Sequence, residues 1–160
     1  MELSVVEVVK PDGVNVIIGQ AHFIKTVDDL HEALAVTAPS ARFGVAFCES
    51  SGPCLIRLSG TNEAMIALAA KAAHAIGAGH SFAVMLRDAY PVSVLNALKT
   101  VPEVCQVFCA TANPVDVVVA RTEHGNGILG VVDGAAPRGV ESEADVGERR
   151  ALLRRLGYKP

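Results

Sequence analysis

Gly77-Ala-Gly-His-Ser-Phe-Ala-Val-Met-Leu-Arg-Asp88 places a lone histidine at the mouth of a continuous apolar run. Phe82 to Leu86 is too apolar for a strand with one wet face, so it reads as a strand buried on both sides. Gly77 and Gly79 let the backbone turn tightly out of the helix expected before it. His80 therefore stands at the boundary between core and surface, where one imidazole nitrogen is open to a ligand while a neighbour fixes the other. Such a position suits a nucleophile or proton carrier, and equally a satisfied histidine at the edge of a core.

Upstream, Ser59-Gly-Thr-Asn-Glu63 starts a helix that carries Met65, Leu68, Ala69, Ala72 and Ile76 on one face. The hydroxyls of Ser59 and Thr61, Gly60 and the free amides of a helix start make either a phosphate cradle or ordinary caps. Phe43 to Cys48 reads as a buried strand, with Leu55 to Leu58 as its partner across Glu49-Ser-Ser-Gly-Pro53. Arg57 is a charge inside an apolar strand, so it is paired or faces solvent. Downstream, Asp88-Ala-Tyr-Pro91 opens a third helix with proline at its first position. Val104 to Ala110 and Val115 to Ala120 follow as strands, divided by Thr111-Ala-Asn-Pro114. Asn113 carries a donor and an acceptor, which suits reading the edge of a base or holding a loop shut.

Toward the N-terminus, Leu3 to Val9 and Val14 to Ile18 flank Lys-Pro-Asp-Gly, and that turn signal predicts an opening hairpin. Gly19 to Lys25 leads into Thr26, expected to cap a helix with Asp29 at its third position. His22 and Lys25 precede that helix start, where free amides suit an anion, though a packed histidine and a solvated lysine look the same. Toward the C-terminus, Gly125-Asn-Gly-Ile-Leu-Gly130 has the letters of a dinucleotide fingerprint but runs on into Val131-Val-Asp133, a strand rather than a helix. A hairpin turn at Gly125 to Gly127 is the expectation, and no lysine motif of the phosphate-loop type accompanies it. Asp133, at a strand end, is placed to bind magnesium, to orient His80 or to cap a turn. Ser142-Glu-Ala-Asp145 is a capping-box variant opening a charged last helix with Leu152, Leu153 and Leu156 as its apolar stripe. Its arginines, Arg149, Arg150, Arg154 and Arg155, read as a solvated or inter-subunit face.

The chain has 160 residues, a length that builds one domain spanning residues 1–160. Apolar residues reach 51% with only 4% aromatic, so the core is built of Val, Ala, Leu and Ile. That composition fits an α/β fold, a single layered domain with a mixed β-sheet and packed helices, and leaves apolar surplus for an oligomer interface. A net charge of −3 offers no basic footprint for nucleic acid. Met1 to Lys10 has two glutamates and no basic signal region, so a cytoplasmic protein is expected. Lys71 and His74 interrupt the most apolar helix and rule against a membrane span. Cys105 and Cys109 fall roughly 13 Å apart along one strand and cannot bridge. Cys48 and Cys54 could face each other across a hairpin, but no CxxC pairing suggests a metal, and reduced, buried thiols are expected.

Several blocks in one order carry a resemblance: Gly19 to Thr26, Phe43 to Pro53, Gly77 to His80, Val101 to Cys105, Phe108 to Pro114, Gly130 to Gly134 and Gly139 to Glu141. Together they resemble the adenosine-specific kinase family of archaea and bacteria. The resemblance implies a compact α/β protein that assembles as a trimer, binds adenosine or AMP and ATP or another adenine nucleotide, admits Mg2+, and carries a phosphoryl group on a histidine. It departs from the family's expected pattern at Cys54, where a basic residue is expected, and at Thr61, where asparagine is.

Carried onto these positions, neutral His80 attacks the terminal phosphoryl of a nucleotide. Lys25 and Arg57 supply positive charge, which phosphoryl transfer needs more than covalent help. Ser51, Gly52 and the Ser59-Gly60-Thr61 turn supply donors, Glu49 or Asp133 orients the imidazole or holds magnesium, and Asn113 contacts base or ribose. His22 is the competing phosphorylated residue; the glycines before His80 open room for a phosphoryl group and favour it. A nucleotide-binding sensor without turnover is the alternative from another class. A hydrolase built on Cys48 is disfavoured, because a buried, apolar-flanked thiol lacks the electropositive setting that lowers its pKa.

Overall fold

The computed structural model describes every residue from Met1 to Pro160. In chain order its elements are β1 (Glu2–Glu7), β2 (Asn15–Ala21), α1 (Thr26–Thr37), β3 (Arg42–Cys48), β4 (Ile56–Gly60), α2 (Glu63–Ile76), β5 (Ser81–Arg87), α3 (Pro91–Lys99), β6 (Val104–Thr111), β7 (Val115–Arg121), β8 (Asn126–Asp133) and α4 (Glu143–Arg155). They form a five-stranded sheet ordered β4-β3-β5-β2-β6 and a three-stranded sheet ordered β1-β7-β8.

The layered α/β class expected from the sequence holds, with one correction to the sheet. Every pairing is antiparallel, in two sheets rather than one mixed sheet. The reason lies in the crossovers. The connection through α1 joins β2 to β3 over β5, that through α2 joins β4 to β5 over β3, and that through α3 joins β5 to β6 over β2. Each helix thus links two parallel strands that are one place apart, and the place between is filled by a strand of opposite direction. A second correction concerns the N-terminus: β1 and β2 do not form a hairpin. β1 pairs with β7, Glu2 opposite Arg121, while β2 lies between β5 and β6. Pairing with distant strands overrides the local turn signal at Lys10 to Gly13 because it buries both faces of β2.

β5 is buried from Ser81 through Leu86, as its composition demands. Side chains alternate across the large sheet, and the two faces differ in kind. Phe43, Val45, Phe47, Phe82, Val84 and Leu86 point toward α1 and α3, meeting Leu30, Leu34, Val94 and Leu98. On the other face Ala46, Cys48, Ala83 and Met85 meet the alanine stripe of α2 and, beside it, Val115, Val117 and Val119 of the small sheet. Small residues let α2 lie very close: a Cβ on Gly44 would overlap the backbone of Met65 and Ile66. The alanine excess thus serves close layer packing, and the aromatics collect on the side where the layers stand farther apart.

α4 starts with the predicted capping box, Ser142 and Asp145 each bonding the other's backbone amide. Its leucine stripe, however, buries nothing: none of its residues is buried. The turn before β8 runs through Thr122 to Gly125, with Gly127 already inside the strand, so the hairpin expected here stands with its turn slightly earlier.

Candidate functional site

The register of the large sheet decides which predicted residues meet. Ala21 ends β2 opposite Val104, Phe47 lies opposite Phe82, Cys48 ends β3 opposite Ile56, and Gln20 lies opposite Ser81. The segments holding His22 to Lys25, Glu49 to Cys54, His80 and Glu103 therefore leave from one end of the sheet. Ser59, Gly60 and Thr61 sit toward the other end of β4, near the start of β3. Asn113 follows β6, whose Thr111 pairs with Val16, and Asp133 ends β8 in the small sheet. At about 3.3 Å per residue the length of β5 separates the two ends by about 20 Å. The chain thus places His22, Lys25, Glu49, Ser51, Gly52 and His80 along one end of the sheet, with Arg57 just inside it on the edge strand β4. Ser59, Gly60 and Thr61 follow two to four residues beyond Arg57, along β4 and just past it, and Asn113 and Asp133 lie away from that end.

His80 takes a left-handed backbone, φ 62°, rare for a residue with a side chain. Two bonds enforce it: its amide donates to the Cys48 carbonyl at 2.7 Å, and its carbonyl accepts from the Ala21 amide at 2.9 Å. It thereby locks β5 between β2 and β3 at the sheet's end. Gly77, at φ 60°, closes α2 by donating to the Ala73 carbonyl, and a Cβ on Gly79 would press on Ser50. The half-buried His80 ring stacks on Phe47, centroids 5.8 Å apart and planes 23° from parallel. This is the core-edge position expected of it, on the α1/α3 face of the sheet.

Arg57 lies opposite Phe47 and so shares that face. Its Nη2 donates to both Glu49 oxygens at 3.1 Å, and its buried Nε has no partner. The Leu55 amide donates to Glu49 as well, and this bond first, the guanidinium second, holds the Glu49 carboxyl below its usual range. Lys25 is held by Asp29, one helical turn on, and by Glu103, 2.6 Å from its ammonium. The bond to Asp29 and then that to Glu103 raise the lysine's pKa, and Lys25 in turn lowers that of Asp29. Neither predicted cation is free. Two cations face three carboxylates at this end of the sheet.

The start of α1 also differs from expectation. Thr26 is fully buried and does not cap; its hydroxyl donates to the Phe23 carbonyl, and Lys25 occupies the cap position with no side-chain bond. The amides of Thr26, Val27, Asp28 and Asp29 donate to the carbonyls of Phe23, Ile24 and Lys25, so these four are not open to an anion. Burial of Thr26 and Val27 turns the Thr26 hydroxyl inward to the Phe23 carbonyl, in place of a side-chain cap. His22 is exposed, and its amide donates to the Glu103 carbonyl at 3.1 Å.

At the other end the polar groups are committed to structure. Ser59 Oγ bonds His31 Nδ1 at 2.7 Å, Thr61 bridges the Phe43 amide and the Ala41 carbonyl, and Asn62, rather than Ser59 or Thr61, caps α2. Asn113 donates to Asp133 at 3.1 Å, which holds the loop shut. All four cysteines are free thiols, as expected; Cys48 and Cys109 are buried, but Cys54 and Cys105 are exposed. Burial raises the pKa of Cys48, against nucleophilic use.

Sequence reasoning missed Glu103 and Asp29. A charge in the apolar run Val101 to Val107 was the available signal for the first, and the i, i+4 spacing from Lys25 for the second. A cavity of about 380 Å3 adjoins the site and is lined by Glu49, Ser50, His74, Gly79, His124 and Asn126 among others. Its volume is in the range of small-ligand pockets.

Fold and site define a layered α/β protein with two histidines, two ion-paired cations and a ligand-sized cavity at one end of an antiparallel sheet. The chain belongs to the family described as adenosine specific kinase, which matches residues 6–159. Its structure is similar to the crystal structure of the PH1918 protein from Pyrococcus horikoshii OT3, with a TM-score of 0.96, 45% identity, and coverage of 99% of this chain and 98% of that one. No curated protein matches. No helix is long and apolar enough to cross a membrane.

Proposed function

We propose that this protein is an adenosine- or adenine-nucleotide-binding phosphotransferase that carries a phosphoryl group on a histidine at the β2/β5 end of the sheet. The observation that carries the reading is the left-handed backbone of His80, held between Cys48 and Ala21. Strained backbone persists where surroundings over-determine it, and such places cluster at functional sites. The family assignment supports adenosine as the nucleoside.

Two imidazoles compete as carrier. His80 has the fixed orientation, and His22 the greater exposure; the two follow one backbone contact, the bond from Ala21 to His80. In the first half-reaction a ring nitrogen forms an N–P bond with the terminal phosphoryl of a nucleoside triphosphate as the P–O bond to the leaving nucleoside diphosphate breaks. In the second, the nucleoside hydroxyl forms a P–O bond as the N–P bond breaks, and its proton passes to water. A cavity on the α2 face, which meets the site through Glu49 and Gly79 and is lined by none of His22, His80, Lys25 and Arg57, offers room for the nucleoside. Arg57 and Lys25 would supply charge to the phosphates out of their ion pairs, and Ser51 and Gly52 lie exposed in the β3–β4 loop.

The carboxylate excess fits arrival of the nucleotide with a divalent cation carried on its own phosphates, since no three metal-ligating side chains converge to hold the ion on the protein. When bound, magnesium would supply positive charge at the transferring phosphoryl. The same excess favours the second reading, a nucleotide-binding sensor without turnover, since neither cation is free of a carboxylate. A homo-oligomer, trimeric by the resemblance, is part of the proposal. Leu3, Val5, Leu129 and Val132 lie exposed on the small sheet and support it.

The test is intact-protein mass after incubation with magnesium and ATP, for wild type, His80→Ala and His22→Ala. An acid-labile gain of one phosphoryl mass, lost in one variant, establishes the carrier. No gain in wild type that still binds AMP in calorimetry selects the sensor.

A further inference from the structure

Glu103 stands at the start of β6 and is 4% exposed, a carboxylate almost wholly inside the protein. One oxygen meets the Lys25 ammonium at 2.6 Å, and the other is buried with no partner. Its backbone carbonyl accepts the His22 amide at 3.1 Å. A single residue therefore grips both ends of the segment His22-Phe-Ile-Lys25, by backbone at one end and by charge at the other. A buried carboxylate costs several kcal/mol unless it is compensated. Its single ammonium partner leaves half of that demand unmet. A lysine whose only function was to neutralise Glu103 would be expected inside with it, yet the Lys25 side chain is 53% exposed and shared with Asp29. The geometry is that of a cation held out toward solvent from an interior anchor.

We infer that Glu103 is a positioning residue, which fixes the Lys25 ammonium beside His22 so that an incoming phosphoryl oxygen meets an oriented cation. This rests on the phosphotransferase reading. Glu103 touches no reacting atom; it acts through Lys25, by a charge-assisted hydrogen bond, the stronger class of such bonds. Asp29 supplies the second restraint from the first turn of α1, so that Lys25 is directed by two elements at once.

The experiment compares wild type with Glu103→Gln and Glu103→Asp and reads three quantities. The first is the acetylation rate of Lys25 by an amine-reactive reagent, followed by peptide mass. The second is hydrogen exchange at the His22 amide, and the third is the rate of histidine phosphorylation by magnesium and ATP. With Glu103→Gln, Lys25 loses one of the two carboxylates that hold its proton and is expected to react several-fold faster, about tenfold at most while Asp29 remains. The His22 amide keeps its protection, since its acceptor is backbone. Phosphorylation falls on the order of tenfold or more at saturating ATP, the loss being in rate rather than in half-saturation. Glu103→Asp restores part of both effects. Unchanged Lys25 reactivity in Glu103→Gln overturns the clamp, and so does an unchanged phosphorylation rate in a variant whose lysine has been freed. Loss of His22 amide protection together with activity assigns Glu103 to the fold alone. A wild type that takes up no phosphoryl group overturns the phosphotransferase reading and with it the catalytic role, whereas Lys25 reactivity still decides whether the clamp exists.

Discussion

At the Ser59 end of the large sheet the hydroxyl and amide side chains have found partners, whereas at the His80 end two buried polar atoms have not. Ser59 meets His31, Thr61 meets β3, and Asn62 caps α2. At the opposite end Arg57 Nε and Glu103 Oε2 are buried without partners, and a histidine is held in left-handed backbone. The contrast is one of degree, because at the Ser59 end Arg87 Nε is also orphaned while its Nη2 reaches the Asp12 carbonyl, and Asp88 is left-handed too, φ 67°. Buried polar groups are normally satisfied, so a concentration of unmet ones is where an absent partner is best sought. Similar residue types, hydroxyls and amides beside glycine, thus serve architecture at one end and leave binding capacity at the other.

The largest expected effect breaks the comparison outright if it fails. A His22→Ala, His80→Ala double variant takes up no phosphoryl group in the mass measurement, while Ser59→Ala and Asn113→Ala remain within about twofold of wild type. Loss of uptake in the last two would move the site to the other end of the sheet.

Next in size is a pair of glycine substitutions with opposite profiles. At Gly60, φ 155°, a Cβ would overlap the Phe43 carbonyl, so Gly60→Ala is expected to cost about 1–3 kcal/mol in urea unfolding with little change in uptake per folded molecule. A Cβ on Gly79 would push on Ser50, a movable loop residue, so Gly79→Ala costs less stability but lowers uptake roughly tenfold by displacing the Glu49 loop.

A smaller effect appears in acid. Glu49 titrates below 4.5 in the folded protein, held there by the Leu55 amide and then by Arg57. Its contribution is present above about pH 4.5 and is lost as pH falls through the folded value. Glu49→Gln therefore gives a shallower decline of melting temperature below pH 4.5. An identical acid limb in the variant would show that the Glu49–Arg57 pair adds nothing to stability. Asp88, lowered by Arg42, is the matching control at the other end.

The smallest concerns the thiols. Burial and the charge of Asp133 push Cys109 up to about 11, and burial raises Cys48. At pH 8 an alkylating reagent should modify Cys54 and Cys105 only, and because Cys54 lines the cavity beside Glu49, phosphoryl uptake should fall as Cys54 reacts. Unchanged uptake after complete modification of Cys54 would exclude that cavity from the site.

What could be read in advance followed from local periodicity. The strand at Phe82 to Leu86, the α2 stripe and the proline-led α3 each carry their burial pattern in adjacent residues. The opening hairpin failed because Lys10 to Gly13 signals a turn without naming the strand that follows it as partner; β1 finds β7 more than a hundred positions away. For the site, residue types were legible and their pairing was not. Lys25 looked like a free cation and Arg57 was legible as paired or solvent-facing without a named partner, because Glu103 and Glu49 are distant from them in sequence or beyond a turn, and only the sheet register brings them within reach. Ser59 to Thr61 had the letters of a cradle, yet the direction of β4 carries them away from His80.

The skipped strand in each helical crossover also dictates an order of events during synthesis. When Cys48 has been made, β2 and β3 are complete, but the slot between them stays empty until β5 emerges some two elements later. For an interval on the order of seconds at ribosomal speed, two very apolar strands each present an unpaired edge. The segment that fills this slot is the one led by His80, but β2 keeps its other edge open until β6 follows, so the strand that closes the sheet arrives together with Glu103, the carboxylate that holds Lys25.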